Sequence, residues 1–160
     1  MSESPAIVGR RDALAHFHRA MLDLSADDLA DLFAVDAVYE FPFLAPGRPA
    51  RYEGREEIRA GFRAAWGAAP VRVDEIRDIV AHETTDPEVI IAEQVFDATM
   101  TTTGRRFTSS FLLVMRVRDG LIVHVRDYAD ALRTTHALGR LPAVVASLGG
   151  QQPKPPDPRS

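Results

Sequence analysis

The chain has no cysteine, no apolar run long enough to cross a membrane and no long run of charges of one sign. Without cysteine there can be no disulfide, no thiolate metal site and no cysteine nucleophile. The start of the chain lacks the apolar core of a signal peptide, and a basic stripe of the kind that binds nucleic acid is also missing. We therefore expect a cytoplasmic protein with neither a nucleic-acid nor a membrane partner.

What the sequence does contain is an ordinary globular composition. It has 160 residues, 46% of them hydrophobic and 26% charged, and a formal net charge of −4. This length is enough for one domain with a sizeable core. The C-terminal segment QQPKPPDPRS is polar and rich in proline, which is typical of an extended tail. We predict a flexible N-terminus at 1–9, one domain at 10–142 and a Pro-rich tail at 143–160.

The spacing of apolar residues changes along the chain from that of helices to that of strands. Leu14 and Phe17 begin a repeat at three- and four-residue steps, whereas the second half alternates with period two. The pattern predicts helices at about 10–24, 25–33, 54–68 and 130–140, and strands at about 38–43, 71–82, 88–102, 105–118 and 121–128. Helices followed by an antiparallel meander indicate an α+β fold, with helices covering one face of a curved sheet. Leu112, Val114 and Ile122 are predicted on the other face, which favours a partner subunit there.

One carboxylate lies on an otherwise apolar face of the last predicted strand. Strand alternation places four side chains on one face, namely Leu121, Val123, Val125 and Asp127. A charge on such a face must be hydrogen-bonded, paired or shifted in pKa. Asp127 is therefore the first candidate for a catalytic or ligand-binding residue. The alternative is a structural acid that caps the next helix or pairs with Arg133.

Three segments carry a family resemblance. DLFAVDAVYEFPF at 31–43 joins an acidic-apolar helix end to a strand, and YEGREEIRAGF at 52–62 begins a helix at a Gly-Arg pair. The third segment is about 93–130, which contains the hairpin GRRFTSSFLLVMRVRDGLIVHVRDYAD at 104–130. Together they resemble the SnoaL-like, ketosteroid isomerase and limonene epoxide hydrolase families, over most of residues 10–142. The resemblance implies a cone-shaped, curved antiparallel sheet with N-terminal helices packed on its concave face, enclosing a hydrophobic cavity. It also implies a homodimer.

The resemblance to the epoxide hydrolases assigns roles to single positions. Asp127 corresponds to the acid that protonates the epoxide, and Tyr39 to the tyrosine that holds the attacking water. The asparagine, the arginine and the second aspartate of that site are replaced by Phe41, Gln94 and Phe96. Because no base remains to activate water, epoxide hydrolysis is disfavoured.

The other two families differ in how well they fit. Phe41 stands where ketosteroid isomerase has its aspartate base, Phe17 stands where it has its oxyanion tyrosine, and the second aspartate falls within 110–113, which contains no acid. The SnoaL-like polyketide cyclases fit better, because they rely chiefly on one aspartate in the last strand, the region of Asp127. The resemblance therefore implies a cyclase or isomerase that needs no cofactor.

The candidate site follows from these positions and from strand alternation. We predict that Asp127 is a general acid or base, and that Tyr39 and Gln94 are catalytic residues that orient it or a substrate carbonyl. Alternatively, Gln94 is a satisfied core amide and Tyr39 has its hydroxyl in water. The predicted substrate-binding residues are Phe17, His18, Phe41, Trp66, Phe96, Ser109, Phe111, Leu113 and Val125. Their largely aromatic character suits a polycyclic or terpenoid-sized ligand.

The histidines do not share a metal-binding spacing. His16 and His18, for example, lie two residues apart on a helix and point in different directions. We therefore expect no metal. The expected function is a SnoaL-like cyclase or isomerase that acts by general acid/base catalysis on a small hydrophobic carbonyl or enol substrate. Two alternatives stay open, an epoxide-opening hydrolase or cyclase and a non-catalytic domain that binds a hydrophobic ligand.

Overall fold

The computed structural model describes residues 9–43 and 49–149, which contain five helices and six strands. In chain order these are α1 (Arg10–Asp23), α2 (Ala26–Asp31), β1 (Phe33–Glu40), β2 (Arg51–Glu53), α3 (Arg55–Ala68), β3 (Val71–Glu83), β4 (Val89–Met100), β5 (Arg106–Arg118), β6 (Leu121–Ala129), α4 (Ala131–Ala137) and α5 (Leu141–Gly149). None of these helices is long and apolar enough to cross a membrane.

The strands form one curved, unclosed sheet in the order β2-β1-β6-β5-β4-β3. Strands β3 to β6 form an antiparallel meander, as the sequence predicts. Strand β1 pairs antiparallel with β2 but parallel with β6, so the sheet is not antiparallel throughout. The α+β fold with a cone-like curved sheet is confirmed. The parallel pair matters for the site because it joins a strand from the start of the chain to the last strand.

The predicted hairpin turn between β5 and β6 is confirmed by its backbone. Asp119 and Gly120 both have positive φ values, of 51° and 79°. Two consecutive residues with positive φ form the tight turn whose twist matches that of antiparallel strands. This turn returns the chain into β6, the strand that carries Asp127.

Helices α1, α2 and α3 pack against the sheet and form the core with it. Helix α1 contacts β3, β4 and β5, whereas α2 and α3 contact β1. The residues between the layers are apolar and fully buried, with Phe17 from α1, Ile58 from α3 and Leu113 from β5 each 0% exposed. Burial of each such side chain contributes about 1.5–3 kcal/mol to folding. These contacts bury one face of the sheet beneath the three helices.

A bulge in β6 changes the predicted faces of this strand. Arg116 pairs with His124 and Val117 with Ile122, which leaves Val123 as an extra residue without a partner in β5. Ile122 and Val125 are both fully buried. An extra residue reverses the alternation on one side of the bulge. The prediction that Ile122 lies on the outer face is therefore wrong. The prediction of one continuous face that includes Val123 is wrong as well.

The chain also departs from the predicted boundaries at three places. Strand β1 covers 33–40 rather than 38–43, because it pairs with β6 at Phe33 and again, after a shift in register, at 38–40. Strand β2 has only three residues, which is too short for a periodic pattern to show. The segment 143–149, predicted as tail, belongs to helix α5, in which Pro142 occupies the first turn, where a missing N–H costs no helical hydrogen bond. The predicted flexible N-terminus (except residue 9) and the rest of the predicted tail lie outside the described residues.

Candidate active site

Asp127 lies near the end of β6 and is held between two neighbouring strands. It pairs with Leu113 in β5, and the neighbouring Val125 pairs with Tyr39 in β1. Its side chain is only 8% exposed. Oδ2 accepts a hydrogen bond of 2.7 Å from the hydroxyl of Tyr39. Oδ1 is buried and has no hydrogen-bond partner among the described residues.

Burial dominates the acidity of this carboxyl. Desolvation raises the pKa of Asp127 to about 6, and the hydrogen bond from Tyr39 acts in the opposite direction with a smaller effect. A desolvated carboxylate is less stable relative to its protonated form, so the proton is held more tightly than in water. The result is a group that can both accept and return a proton near neutral pH.

Tyr39 is a neutral hydrogen-bond donor in the middle of an aromatic cluster. Its ring is fully buried and contacts the rings of Phe17, Phe33, Phe41 and Phe62, with centroid separations of 5.0–6.5 Å. Burial, and then the nearby charge of Asp127, raise the pKa of Tyr39 well above its ordinary value. The phenol therefore keeps its proton and serves to hold one oxygen of the carboxyl in place.

Asp127 lines the first of two cavities that share part of their walls, with volumes of about 430 Å³ and about 190 Å³. The first is lined by Phe41, Phe43, Pro49, Tyr52, Asp127, Ala129, Ala131, Thr134, Thr135, Leu138, Arg140, Ala143, Val144 and Ser147. The second is lined by Met21, Leu24, Phe41, Tyr52, Phe62, Ala65, Trp66, Ala69, Val71, Val73, Ile76, Phe96, Phe107, Phe111, Thr134, Leu138 and Arg140. Among these described lining residues, Asp127 is the only acid.

The predicted substrate-binding residues divide into two groups. Phe41 lines both cavities, and Trp66, Phe96 and Phe111 line the second. The others are buried but are not among the described residues that line either cavity, namely Phe17, His18, Ser109, Leu113 and Val125. These five buried residues belong to the core behind the cavity wall.

Gln94 is tied into the core and does not bond to Asp127. Its Nε2 donates to the carbonyl oxygens of Ala92 at 3.1 Å and Phe111 at 3.0 Å, so its Oε1 accepts the proton of His18 Nε2 at 2.8 Å. Burial lowers the pKa of His18, which keeps the imidazole neutral. These contacts correspond to the satisfied core amide, one of the two alternatives that the sequence left open.

The sequence pattern of the SnoaL-like domain matches residues 7–125 of the chain. The chain belongs to the SnoaL-like family. Its match ends two residues before Asp127, so the aspartate itself lies just beyond the region that defines the family here.

Individual relatives agree with this assignment. An uncharacterised PhzA/B-like protein of Pseudomonas aeruginosa is 34% identical over 140 residues, which cover 88% of this chain and 97% of the relative. The solved structure of a candidate isomerase from Bacillus subtilis is 28% identical, has a TM-score of 0.74, and is matched over 81% of this chain and 92% of its own. A candidate polyketide cyclase from Xanthomonas campestris, 20% identical with a TM-score of 0.63 and matched over 82% of this chain and 95% of its own, shares the fold.

Two further solved structures share the fold of this chain. One is a protein with a ketosteroid isomerase-like fold, and the other is a LEH-like epoxide hydrolase. Within the described residues, no group of three or more His, Asp or Glu side chains is placed to hold a metal ion.

The last two helices contribute to the site of this SnoaL-like protein in a way that the local sequence pattern does not predict. Helices α4 and α5 supply Thr134, Thr135, Ala143, Val144 and Ser147 to the wall of the first cavity. Ser109, predicted as a ligand contact, instead forms a hydrogen bond of 3.1 Å with the hydroxyl of Thr134. The sequence signal for α5 is the apolar stretch 141–149, two residues after Gly139, whose φ of +68° ends the preceding helix.

Proposed function

We propose that this SnoaL-like protein is an isomerase or cyclase in which Asp127 moves a proton on a hydrophobic carbonyl or enol substrate. The observation that carries the proposal is the state of the carboxyl. Asp127 lines a cavity, is desolvated enough to raise its pKa to about 6, and has one oxygen held by Tyr39 and the other without a partner among the described residues. A structural acid would have both oxygens hydrogen-bonded or paired.

The proposed reaction begins with removal of a proton from the carbon next to a carbonyl group. The carboxylate of Asp127 takes this proton, and the electron pair of the C–H bond forms an enolate. In an isomerisation, Asp127 then returns the proton to another carbon of the conjugated system. In a cyclisation, the enolate carbon attacks a second carbonyl of the same molecule, and the proton goes to the oxygen of that carbonyl. Tyr39 keeps the carboxyl in one orientation during both transfers.

The cavity walls support a hydrophobic substrate. Phe41, Trp66, Phe96 and Phe111 line them, and aromatic walls exclude water from the reacting atoms. Exclusion of water keeps the carboxylate poorly solvated and so keeps it basic. The proposal requires no cofactor, because a carbonyl-activated C–H bond is acidic enough for a positioned carboxylate.

Epoxide opening is the second candidate. It is favoured by the bond between Tyr39 and Asp127, the two positions that match the epoxide hydrolase site. In that reaction Asp127 would protonate the epoxide oxygen. The nucleophile would then be a hydroxyl group of the substrate itself, because Asp127 is the only acid among the described lining residues and cannot also activate water.

Hydrogen–deuterium exchange tests the proposal without knowledge of the natural substrate. Enones and β-keto esters are incubated with the protein in D₂O, and the loss of their exchangeable C–H signals is followed by proton NMR. We expect catalysed exchange with the natural protein and none above background with Asp127→Asn. Arg133→Gln, an exposed change on α4 outside the cavity lining, serves as control and should exchange normally.

The same measurement separates an enzyme from a binding domain. If the natural protein and Asp127→Asn give the same exchange with every probe, and both bind a hydrophobic ligand equally well, the proton-transfer proposal is wrong. A non-catalytic domain for a hydrophobic ligand would then explain the cavity.

A further inference from the structure

Arg140 is a cation placed where the two cavities meet. It follows Gly139 in the short connection between α4 and α5, and it lines both cavities. It is the only basic side chain among the described lining residues, as Asp127 is the only acid. The two charged residues of the site therefore come from different kinds of element, the acid from a strand and the arginine from a helix connection.

The guanidinium of Arg140 has little to bind within the protein. Its Nη2 donates to the carbonyl oxygen of Ala68 at 3.4 Å, at the last residue of α3. None of the ion pairs found among the described residues includes it, whereas Arg59, Arg77 and Arg116 each pair with two or more acids. A guanidinium has five N–H donors, so one long hydrogen bond leaves most of them open to a ligand.

The surroundings of Arg140 favour an anion as that ligand. The first turn of α5 follows it directly, and Ala143 and Val144 of this turn line the same cavity. The amino end of a helix carries partial positive charge. A guanidinium also matches the planar, two-oxygen geometry of a carboxylate better than any other side chain does.

We propose that the substrate carries a carboxylate group, which Arg140 binds at the junction of the cavities while the reacting carbonyl or enol lies beside Asp127. This inference rests on the proposed function for the role of Asp127. The binding of the anion by Arg140 does not depend on that function. An anionic substrate in this site faces the negative charge of Asp127 and the net charge of −4 of the chain. A cation in the wall offsets that repulsion and orients the substrate with its reacting end toward the acid.

Binding of a matched pair of probes tests the inference. Cyclohexanecarboxylate and cyclohexanecarboxamide have the same ring and nearly the same shape but differ in charge. Trp66, the single tryptophan of the chain, lines the second cavity, so its fluorescence reports occupancy, and calorimetry provides an independent affinity. The quantity of interest is the preference for the carboxylate over the carboxamide at pH 7 and low salt.

We expect Arg140→Gln to reduce this preference about tenfold, and Arg140→Lys, which keeps the charge, to retain part of it. Arg133→Gln makes the same change on α4, outside the cavity lining, and should leave the preference unchanged. Thermal unfolding of each variant shows whether it is folded. A preference that Arg140→Gln leaves intact would overturn the inference, as would equal loss in the Lys and Gln variants or failure of the natural protein to bind either probe at millimolar concentration.

Repetition of the titrations in Asp127→Asn separates this inference from the proposed function. The preference for the carboxylate should persist, and the affinity for it should rise, because the repelling charge is gone. If the preference persists while deuterium exchange is absent even in the natural protein, the anion site stands and proton transfer fails. If exchange is normal and Arg140→Gln binds both probes as before, proton transfer stands and the anion site fails.

Discussion

The hydroxyl of Tyr39 and the carboxyl of Asp127, 88 residues apart in the chain, form a buried hydrogen bond of 2.7 Å. The parallel pairing of β1 with β6 brings them together, because it places Tyr39 opposite Val125, two residues before the aspartate. Two opposing effects meet in this bond. Desolvation raises the pKa of Asp127 and the donated hydrogen bond lowers it, and desolvation is the larger of the two. The carboxyl is thus both oriented and poised for proton transfer.

Stability should fall as the pH rises through the pKa of Asp127. The pKa is about 6 in the folded protein and near its ordinary value of 3.8 in the unfolded chain, so the folded state binds more protons between these values. At about 1.4 kcal/mol per pH unit, charging the buried group costs about 3 kcal/mol by pH 8. Asp127→Asn does not titrate, and its free energy of unfolding relative to the natural protein should therefore increase between pH 4 and pH 8.

Urea unfolding at a series of pH values measures this difference, and other titrating groups cancel because both proteins contain them. Carbon-13 NMR of the Asp127 carboxyl, assigned with the same variant, gives the pKa directly. A difference in unfolding free energy that stays constant from pH 4 to pH 8 would contradict the assignment of a desolvated acid.

Loss of the Tyr39 hydroxyl should raise the pKa of Asp127 further. The hydrogen bond stabilises the charged form, and a hydrogen bond to a charged group contributes about 1.5–3 kcal/mol, which corresponds to a rise of about one to two in the pKa. In Tyr39→Phe we expect the NMR titration of Asp127 and the acid limb of the pH–activity profile to move upward together. Tyr128→Phe, a change at the next position of β6, is the control. An unchanged pKa in Tyr39→Phe would show that the bond does not govern the acid.

Two glycines of α3 should respond in opposite ways to alanine. A Cβ at Gly61 would clash with the ring of Tyr52, which lines both cavities, whereas a Cβ at Gly67 would meet no atom within 4 Å. We expect Gly61→Ala to lose about 1–3 kcal/mol of stability and to alter ligand binding. Gly67→Ala should gain up to about 1 kcal/mol, because alanine restricts the unfolded chain and favours a helix. Chemical denaturation of both variants checks the contrast, and equal effects would argue against the close packing of Tyr52.

Replacement of Gln94 by methionine should affect stability rather than acidity. The change leaves the Nε2 proton of His18 and the carbonyls of Ala92 and Phe111 without their partner, at a cost of about 1–3 kcal/mol. The pKa of Asp127 should stay where it is, because no bond joins the two side chains. If Gln94→Met instead remains stable and loses deuterium exchange, Gln94 has the catalytic role that the sequence also allowed.

Much of the fold could be read from local patterns. The three- and four-residue spacing of apolar side chains located α1 and α3, and period-two alternation with turn residues located β3 to β6. The same alternation identified Asp127 as a carboxylate that shares a strand face with aliphatic residues, and its burial is confirmed. These features depend on residues close together in the chain, and the periodicity of helices and strands expresses them directly.

Other features could not be read in this way. The extra residue Val123 reverses the faces of β6, and nothing in the alternation shows where a bulge will fall. The sequence predicts a tail where helix α5 lies, because the proline-rich segment after it dominates the composition. The part of the cavity wall that α5 contributes is therefore not predicted either. The contact of Gln94 with His18 likewise joins β4 to α1.

The sequence by itself determined which residue types could do chemistry and on which elements they lie. Only the tertiary structure decided that Tyr39 holds Asp127, that Gln94 turns away to His18, and that Arg140 reaches the junction of two cavities. The physical reason is that acidity and charge pairing depend on burial and on neighbours from distant parts of the chain. Strand register and helix packing set those neighbours, and a local pattern does not contain them.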